Sequence, residues 1–327
     1  MTLDVSPLSR PAPRVPPVPA EPLPAEPLLT DTLLTDPATA PAAAGGPGVT
    51  DDADRSPGGQ RVRALLRRPG FVLAVVFVVL VVVAAIAPGA FTTYDPYTTA
   101  PAARLTPPDA AHWFGTDELG RDLYTRVVHG STLTVEAALS AIVIALVAGL
   151  GLGVLSGFFG GWLDAVLMRV VDVSLAIPGL LMALAVVTAL GFGTLPVAVA
   201  VGVGIVPGFA RTTRAEVLRV KTLPYVEAAR AGGATRRRIL LRHVLPNAWG
   251  PVAVLAVLDF GVAILSVAAL SFLGFGAAPT AAEWGTLIAR GRDYLVTAPW
   301  VSLLPGLFVG LVVLSLNHVA GTLEEVR

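Results

Sequence analysis

The sequence contains no cysteine, a single lysine and few charged residues, which make up 14% of the chain. Without cysteine it can form no disulfide, and it offers neither a thiol nucleophile nor a cysteine metal site. The four histidines are scattered, and none has the spacing of metal ligands. The sequence also lacks a glycine-rich loop ending in lysine and serine or threonine, so any ATP that its activity requires is bound elsewhere.

Hydrophobic residues are abundant and account for 54% of the chain. They are gathered into long runs, which argues for one helical membrane domain rather than for soluble domains. Because a helix needs roughly 20 apolar residues to cross a bilayer, the runs predict an all-α, polytopic membrane protein with about six transmembrane helices. The predicted spans are 71–90, 133–156, 165–190, 195–210, 252–273 and 299–319.

Basic residues are concentrated in two short segments. Four arginines between residues 61 and 68 precede the first span. The segment between residues 211 and 243 contains nine arginines and lysines but only two glutamates. Short cytoplasmic loops collect arginine and lysine, so both segments are predicted to lie inside the cell. The loop at 91–131 contains more acidic than basic residues, as expected of the outer side. The chain is therefore expected to be a multi-pass protein of the cell (plasma or inner) membrane with a cytoplasmic N-terminus.

The first 60 residues have a different composition, rich in proline, alanine, aspartate and threonine and nearly free of aromatic side chains. Such a segment cannot bury enough apolar surface to offset the entropy lost on ordering. Residues 1–60 are therefore predicted to be a disordered cytoplasmic tail. Residues 61–327 form the predicted transmembrane domain.

One polar segment between two apolar runs has the pattern of a helical hairpin. Pro224 suits the first position of a helix, where its missing N–H has no partner to lose. Gly232 and Gly233 can end that helix in a left-handed turn. Thr235 suits the cap of a second helix, which is predicted to run to Pro246 and to lead into the fifth span.

The side chains of the hairpin are of two kinds. Arg236, Arg237 and Arg238 occupy the first turn of the second helix, where cations oppose the helix dipole. These arginines either follow the cytoplasmic charge bias and touch lipid phosphates, or contact a partner. The alanines at 228–231 are more specific, because small side chains let the backbone of another protein approach closely. They favour a docking helix.

The hairpin resembles the EAA loop of ABC importer permeases, the membrane subunits of binding-protein-dependent uptake systems. The resemblance rests on Glu227, Ala228, Ala229, Gly233, Leu245 and Pro246, at the matching distances within a loop of about 211–247. His243 stands where the family usually has isoleucine. An Arg-His-aliphatic-Leu-Pro-Asn ending is, however, typical of the peptide-type branch.

Further motifs resemble the second-permease (C-subunit) type of dipeptide, oligopeptide and nickel transporters. They are Asp95–Tyr97, His112–Asp122, Leu270–Gly274, Trp284–Gly285, Gly291–Tyr294 and Ala298–Trp300. The resemblance covers about residues 60–327. Val267 departs from it, because relatives often carry glutamate there, so this chain has no carboxylate at that position.

The resemblance implies a type I, MetI-like transmembrane domain that catalyses no reaction and holds no cofactor. It implies two cytoplasmic ATPase subunits docked on the hairpin, an extracytoplasmic substrate-binding protein and a second, homologous permease in a heterodimer. The chain would form half of the pathway for di- or oligopeptides or nickel. Membrane lipid is an expected contact, and nucleic acid is not.

Other polar and small residues in the spans have several interpretations. Asp259 is expected to face protein rather than lipid, in a pathway-lining or bundle-interior role. Asp172 is expected to be paired or to reach water near the span end. The glycines at 149, 151, 153 and 157 are interpreted as close helix packing. Asp117, Glu118, Arg121 and Asp122 are expected to cap an interfacial outer helix.

Two other classes of protein fit the composition less well. A secondary, ion-coupled transporter or channel using Asp259 would show inverted repeats and paired intramembrane charges, and no convincing repeat is present. A membrane-embedded enzyme would need a convergent catalytic set within the spans, which two separated aspartates do not make.

Overall fold

The computed structural model describes residues 68–325, and within this range it is helical apart from loops and one isolated bridge between Thr116 and Asp122. The prediction of a disordered tail at 1–60 lies outside the described residues. The α-helices are α1 Pro69–Ile86, α2 Leu123–Phe159, α3 Gly161–Leu175, α4 Gly179–Leu190, α5 Thr194–Lys221, α6 Pro224–Ala231, α7 Arg236–Ile239, α8 Leu245–Phe272, α9 Trp284–Gly291 and α10 Trp300–Glu325.

Five of the described helical segments are long and apolar enough to cross a membrane: α1, α2, α5, α7 continued into α8, and α10. Helices α3 and α4 pass the same test only together and are bent by 96° at their junction. Asp164 in α3 pairs with Arg214 near the C-terminal end of α5. Beyond α4, Gly193 N–H donates to the carbonyl of Phe275, after the end of α8. The bent pair therefore joins opposite ends of the bundle and counts as one broken crossing.

With the bent pair counted once, all six predicted crossings are present; the second, fourth and fifth helices are longer than predicted, and the third is broken. The third is not a continuous helix over 165–190, because Pro178 adopts an extended backbone and separates α3 from α4. The fourth is much longer than the predicted 195–210. It runs through the buried Pro207 to Lys221, since close packing against α2 supports the helix on both sides of the proline.

The seam between α2 and α5 depends on three glycines of the predicted series. A Cβ at Gly153 would lie 2.5 Å from Thr213 Cβ and 2.6 Å from the carbonyl oxygen of Ala210. At Gly157 it would lie 2.9 Å from a methyl group of Val217, and Gly149 is similarly crowded. The packing interpretation is confirmed for these three. It is wrong for Gly151, which is exposed and has open space around it.

The end of the bundle opposite the hairpin is closed by a buried ionic network. Arg121 Nε donates to Asp117 Oδ2 at 2.7 Å, and Arg290 of α9 donates to Glu118 Oε1 at 2.7 Å. Asp122 is the N-cap of α2 and accepts from Thr125 N at 2.7 Å. The expected cap is therefore confirmed for Asp122: residues 117–122 form a tight turn, and the helix that it caps begins at Leu123 and continues into the second span as one helix.

Two of the distant motifs meet at this end. Arg126 is fully buried and donates to the carbonyls of Pro96 at 2.8 Å and Ala281 at 3.2 Å. Trp284 Nε1 donates to Val127 O at 2.8 Å. The loop before α2 and the loop before α9 thus form one rigid cap over the bundle, which leaves the hairpin as the protruding element at the other end.

Candidate functional site: the helical hairpin

The first hairpin helix, α6, begins at Pro224 as predicted and ends in a Schellman motif. Gly233 has φ +80°, Ala234 N–H donates to Ala229 O at 3.0 Å, and Gly233 N–H donates to Arg230 O at 3.1 Å. This pair of bonds satisfies carbonyls that the helix end would leave without partners. A Cβ at Gly233 would meet nothing within 4 Å, so the backbone angle alone calls for glycine in this chain.

The second hairpin helix begins where the sequence predicts and continues further. The Thr235 side chain accepts from Arg238 N at 3.3 Å, which confirms the cap. The prediction that this helix ends at Pro246 is wrong. A π-helical turn over Leu240–Val244 joins α7 directly to α8. Proline has no N–H to donate to the preceding turn, and a local π-turn accommodates that loss without ending the helix.

An apolar core fixes the hairpin to the bundle. Val226 of α6, Ile239 of α7 and Val244 of the π-turn are buried against Val217 and Val220 at the end of α5. Burial of three aliphatic side chains contributes on the order of 5 kcal/mol. The hairpin is therefore attached to α5 on one side and continuous with α8 on the other.

Lys221 makes a contact that sequence reasoning missed. Its ammonium group donates to the carbonyls of Phe158 at 3.0 Å and Gly157 at 3.3 Å, so it caps the last turn of α2. A cation at a helix C-terminus is favoured by the dipole. The sequence holds no signal for this contact, because the two partners lie more than 60 residues apart.

The six residues that carry the EAA resemblance lie on one continuous structure. Glu227, Ala228, Gly233 and Pro246 are exposed, whereas Ala229 and Leu245 are half-buried. Among the described residues, no group of His, Asp and Glu could hold a metal ion. The hairpin thus presents an exposed glutamate beside small side chains on a helix that is packed against the bundle.

The two aspartates singled out in the spans have different surroundings. Asp172 accepts from Arg211 Nη2 at 2.6 Å, and both side chains are more than half exposed. Its partner is therefore Arg211 of α5 rather than the nearby Arg169. Asp259 lies at the middle of α8 and is half-buried, and its side chain makes no hydrogen bond or ion pair with a residue between 68 and 322.

Comparison with known families gives two matches along the chain. Residues 149–325, which include the hairpin, match a family model described as the binding-protein-dependent transport system inner membrane component. Residues 56–108 match the N-terminal transmembrane domain of oligopeptide transport permease C. The match at 56–108 ends within the loop that precedes α2, and the match at 149–325 begins within α2.

Similar proteins are named as permeases of dipeptide or glutathione transport systems. A dipeptide transport system permease of Alkalihalophilus pseudofirmus is 40% identical over 227 residues, 69% of this chain and 75% of that protein. A glutathione transport system permease of Pectobacterium atrosepticum is 37% identical over 280 residues, 85% and 93% of the two chains. A probable D,D-dipeptide transport system permease of Escherichia coli is 40% identical over 260 residues, 80% and 87%.

Among solved structures, the inward-facing MetNI methionine ABC transporter matches with a TM-score of 0.51 at 19% identity. The match covers 63% of this chain and 98% of that one. At this identity the likeness concerns the fold alone. It agrees with the MetI-like helical fold expected from the sequence.

Proposed function

The chain belongs to the family of binding-protein-dependent transport system inner membrane components, and from this membership we propose that it forms half of the pathway of an ATP-driven importer of short peptides. It is an ABC transporter permease with several membrane-spanning helices. The observation that carries the proposal is the exposed hairpin, continuous with a span and bearing the EAA residues. Short peptides are favoured over nickel because the similar permeases are named for dipeptides, D,D-dipeptides and glutathione.

In this proposal the hairpin receives the movement of the ATPase subunits and passes it to the pathway. Glu227, Ala228, Ala229 and Gly233 form the docking end. Leu245 and Pro246 lie at the junction with α8. Because the π-turn joins α7 to α8 without a break, a displacement of the hairpin moves the span rather than a flexible linker. A permease with this role hydrolyses no ATP itself.

The orientation and partners follow from the same proposal. The hairpin end collects nine of the basic residues, which favours a cytoplasmic location. Thr132 near the start of α2 donates to Ala85 near the end of α1, so α1 begins at the hairpin end, and we place the N-terminus in the cytoplasm. A second, homologous permease completes the pathway in a heterodimer, and a binding protein delivers substrate to the opposite end.

Co-purification tests the proposal. The full chain, affinity-tagged and expressed with the other subunits of its transport system, is expected to retain an ATPase and a second permease in detergent. Replacement of Glu227 by Arg is expected to lose the ATPase and keep the permease, because only the hairpin surface changes. Purification of the wild-type chain without either partner would contradict the proposal.

A carboxylate at the middle of a span, Asp259, is the one observation that favours the alternative of an ion-coupled transporter or channel. We propose instead that it has a pathway-lining or bundle-interior role. Asp259→Asn is then expected to slow ATP-dependent uptake by less than tenfold, under about 1.4 kcal/mol in the barrier. Proteoliposomes that lack the ATPases should take up no substrate under a proton gradient. Gradient-driven uptake that Asp259→Asn abolishes would favour the alternative.

A further inference from the structure

A cleft of about 370 Å³ separates the hairpin from the end of α2. Phe158 and Phe159 of α2 form one side, and Arg230 and Arg236 lie on the hairpin side, with Lys221 between them. Ala234 and Ile239 complete the lining. The cleft thus brings three cations from three different elements to one space, with aromatic rings at its edge.

The cations of the cleft form no ion pair with the carboxylates described between residues 68 and 322. The side chains of Arg230 and Arg236 are exposed and make no ion pair or hydrogen bond within that range. Lys221 donates to two carbonyls and has a third donor left. Two neighbouring carboxylates are paired with other arginines, Asp164 with Arg214 and Glu216 with Arg219. Asp164 also interacts electrostatically with Lys221, and Glu227 lies one turn before Arg230 on α6.

The position of Arg236 adds to this imbalance. It lies with Arg237 and Arg238 in the first turn of α7, where the helix dipole disfavours cations. Carboxylates in this first turn would keep the surface equally soluble, and unlike arginines they would be stabilised by the helix dipole. A bound anion compensates both the dipole and the mutual repulsion of the arginines.

Exposed aromatic side chains lie at and beside the cleft, as expected where a protein meets lipid headgroups. Trp162, at the start of α3, is 78% exposed, and Phe159 at the mouth of the cleft is 55% exposed. Tryptophan is enriched where a membrane meets water, because its ring is apolar and its N–H is polar. The neighbouring apolar residues of α3, Val166, Val170 and Val173, are also exposed, as expected of a surface that faces lipid.

We propose that this cleft binds the phosphate of an anionic phospholipid from the cytoplasmic leaflet. The two arginines and Lys221 hold the phosphate, and Phe159 and Trp162 pack on the glycerol and upper acyl region. Basic pockets between helices on the cytoplasmic side are suited to such headgroups. The proposal rests on the proposed function only in placing the hairpin in the cytoplasm.

A bound phosphate adds a polar link between elements that already share an apolar core. Arg230 and Arg236 belong to the hairpin, whereas Lys221 and Phe159 belong to the ends of α5 and α2. A phosphate shared among them strengthens the attachment of the hairpin to the bundle on the side of α2. Anionic lipid is therefore expected to raise the stimulation of the ATPases by substrate-loaded binding protein.

The test compares a double variant, Arg230→Gln with Arg236→Gln, against Arg242→Gln in the full transporter. Arg242 is a matched control, because it is exposed, forms no ion pair with a described residue and lies outside the cleft. Native mass spectrometry with added phosphatidylglycerol measures the binding, with phosphatidylcholine as the neutral lipid. At about 1 kcal/mol per arginine, the double variant should bind phosphatidylglycerol roughly 30-fold more weakly. Arg242→Gln should stay close to the wild type.

Nanodiscs with increasing phosphatidylglycerol provide a second measurement, the ATPase stimulation. It should rise for the wild type and Arg242→Gln and stay flat for the double variant. Equal lipid binding by the two variants would overturn the proposal, and so would displacement of the lipid by inorganic phosphate at equal concentration, which would indicate a site for the free ion. Loss of the co-purifying ATPase from the double variant would assign the arginines to protein docking instead. Lipid binding is measured without transport, so failure here is distinct from failure of the proposed function.

Discussion

Gly153→Leu is expected to prevent α2 and α5 from packing and to abolish the yield of folded protein. The new Cβ would lie within 2.6 Å of Thr213 and of the Ala210 backbone, and the rest of the leucine side chain would need still more room. Overpacking of a core typically costs 1–3 kcal/mol, and the cost is higher here because one neighbour is a helix backbone that cannot rotate away. Fluorescence-detected size exclusion of the detergent-solubilised protein measures the loss.

Gly151→Leu is the matched control for this prediction. It places the same side chain on the same helix, two residues away, where a Cβ meets nothing within 4 Å. Both variants add the same apolar side chain, and both reduce the conformational freedom of the unfolded backbone by the same amount. Gly151→Leu should therefore elute like the wild type, and a normal monodisperse peak for Gly153→Leu would disprove the close seam.

Gly233→Trp is expected to abolish substrate uptake while the protein still inserts into the membrane. The substitution acts twice, because φ +80° strains a non-glycine residue by about 1–2 kcal/mol and the indole then projects from the docking end. Since the turn lies outside the bundle and a Cβ there contacts no described residue, the spans should assemble normally. Uptake and ATPase rates in proteoliposomes, measured together, should show hydrolysis that substrate no longer controls.

Gly233→Asn separates the strain from the bulk. Asparagine tolerates the left-handed conformation and adds a small side chain into open space, so it should retain most of the uptake. If Gly233→Trp supports normal substrate-stimulated uptake, the docking role of the turn is wrong. If Gly233→Asn abolishes uptake as completely as Gly233→Trp, a partner must approach the backbone of the turn too closely for any side chain. Glycine would then be required for that contact and not only for its backbone angle.

Local chemistry determined which parts of the hairpin could be predicted from the sequence. Pro224, Gly233 and Thr235 act through their own backbone or through bonds to residues at most five positions away, and each lies where its residue type predicts. The helix end that the sequence predicts at Pro246 is wrong, because the π-turn that accommodates this proline is packed between α8 and the end of α5. The pairs Lys221–Phe158 and Asp172–Arg211 required knowledge of which helices are neighbours.

The two prolines within predicted spans show that packing decides whether a helix bends at proline. Pro178 lies between helices that are largely exposed in this chain, so nothing holds the backbone straight and the crossing bends. Pro207 is buried in α5, which packs along the length of α2, and the helix continues through it. The sequence shows the same residue type at both positions, and only the three-dimensional neighbours distinguish them.

Lys221 has a practical consequence for experiments on the intact transporter. It is the only lysine in the sequence, so the chain carries one side-chain amine, located where α5, α2 and the hairpin meet. Lysine supplied with an isotopic label would produce a single side-chain resonance from this permease, without any engineered probe. That resonance would report directly whether the junction opens when nucleotide or lipid binds.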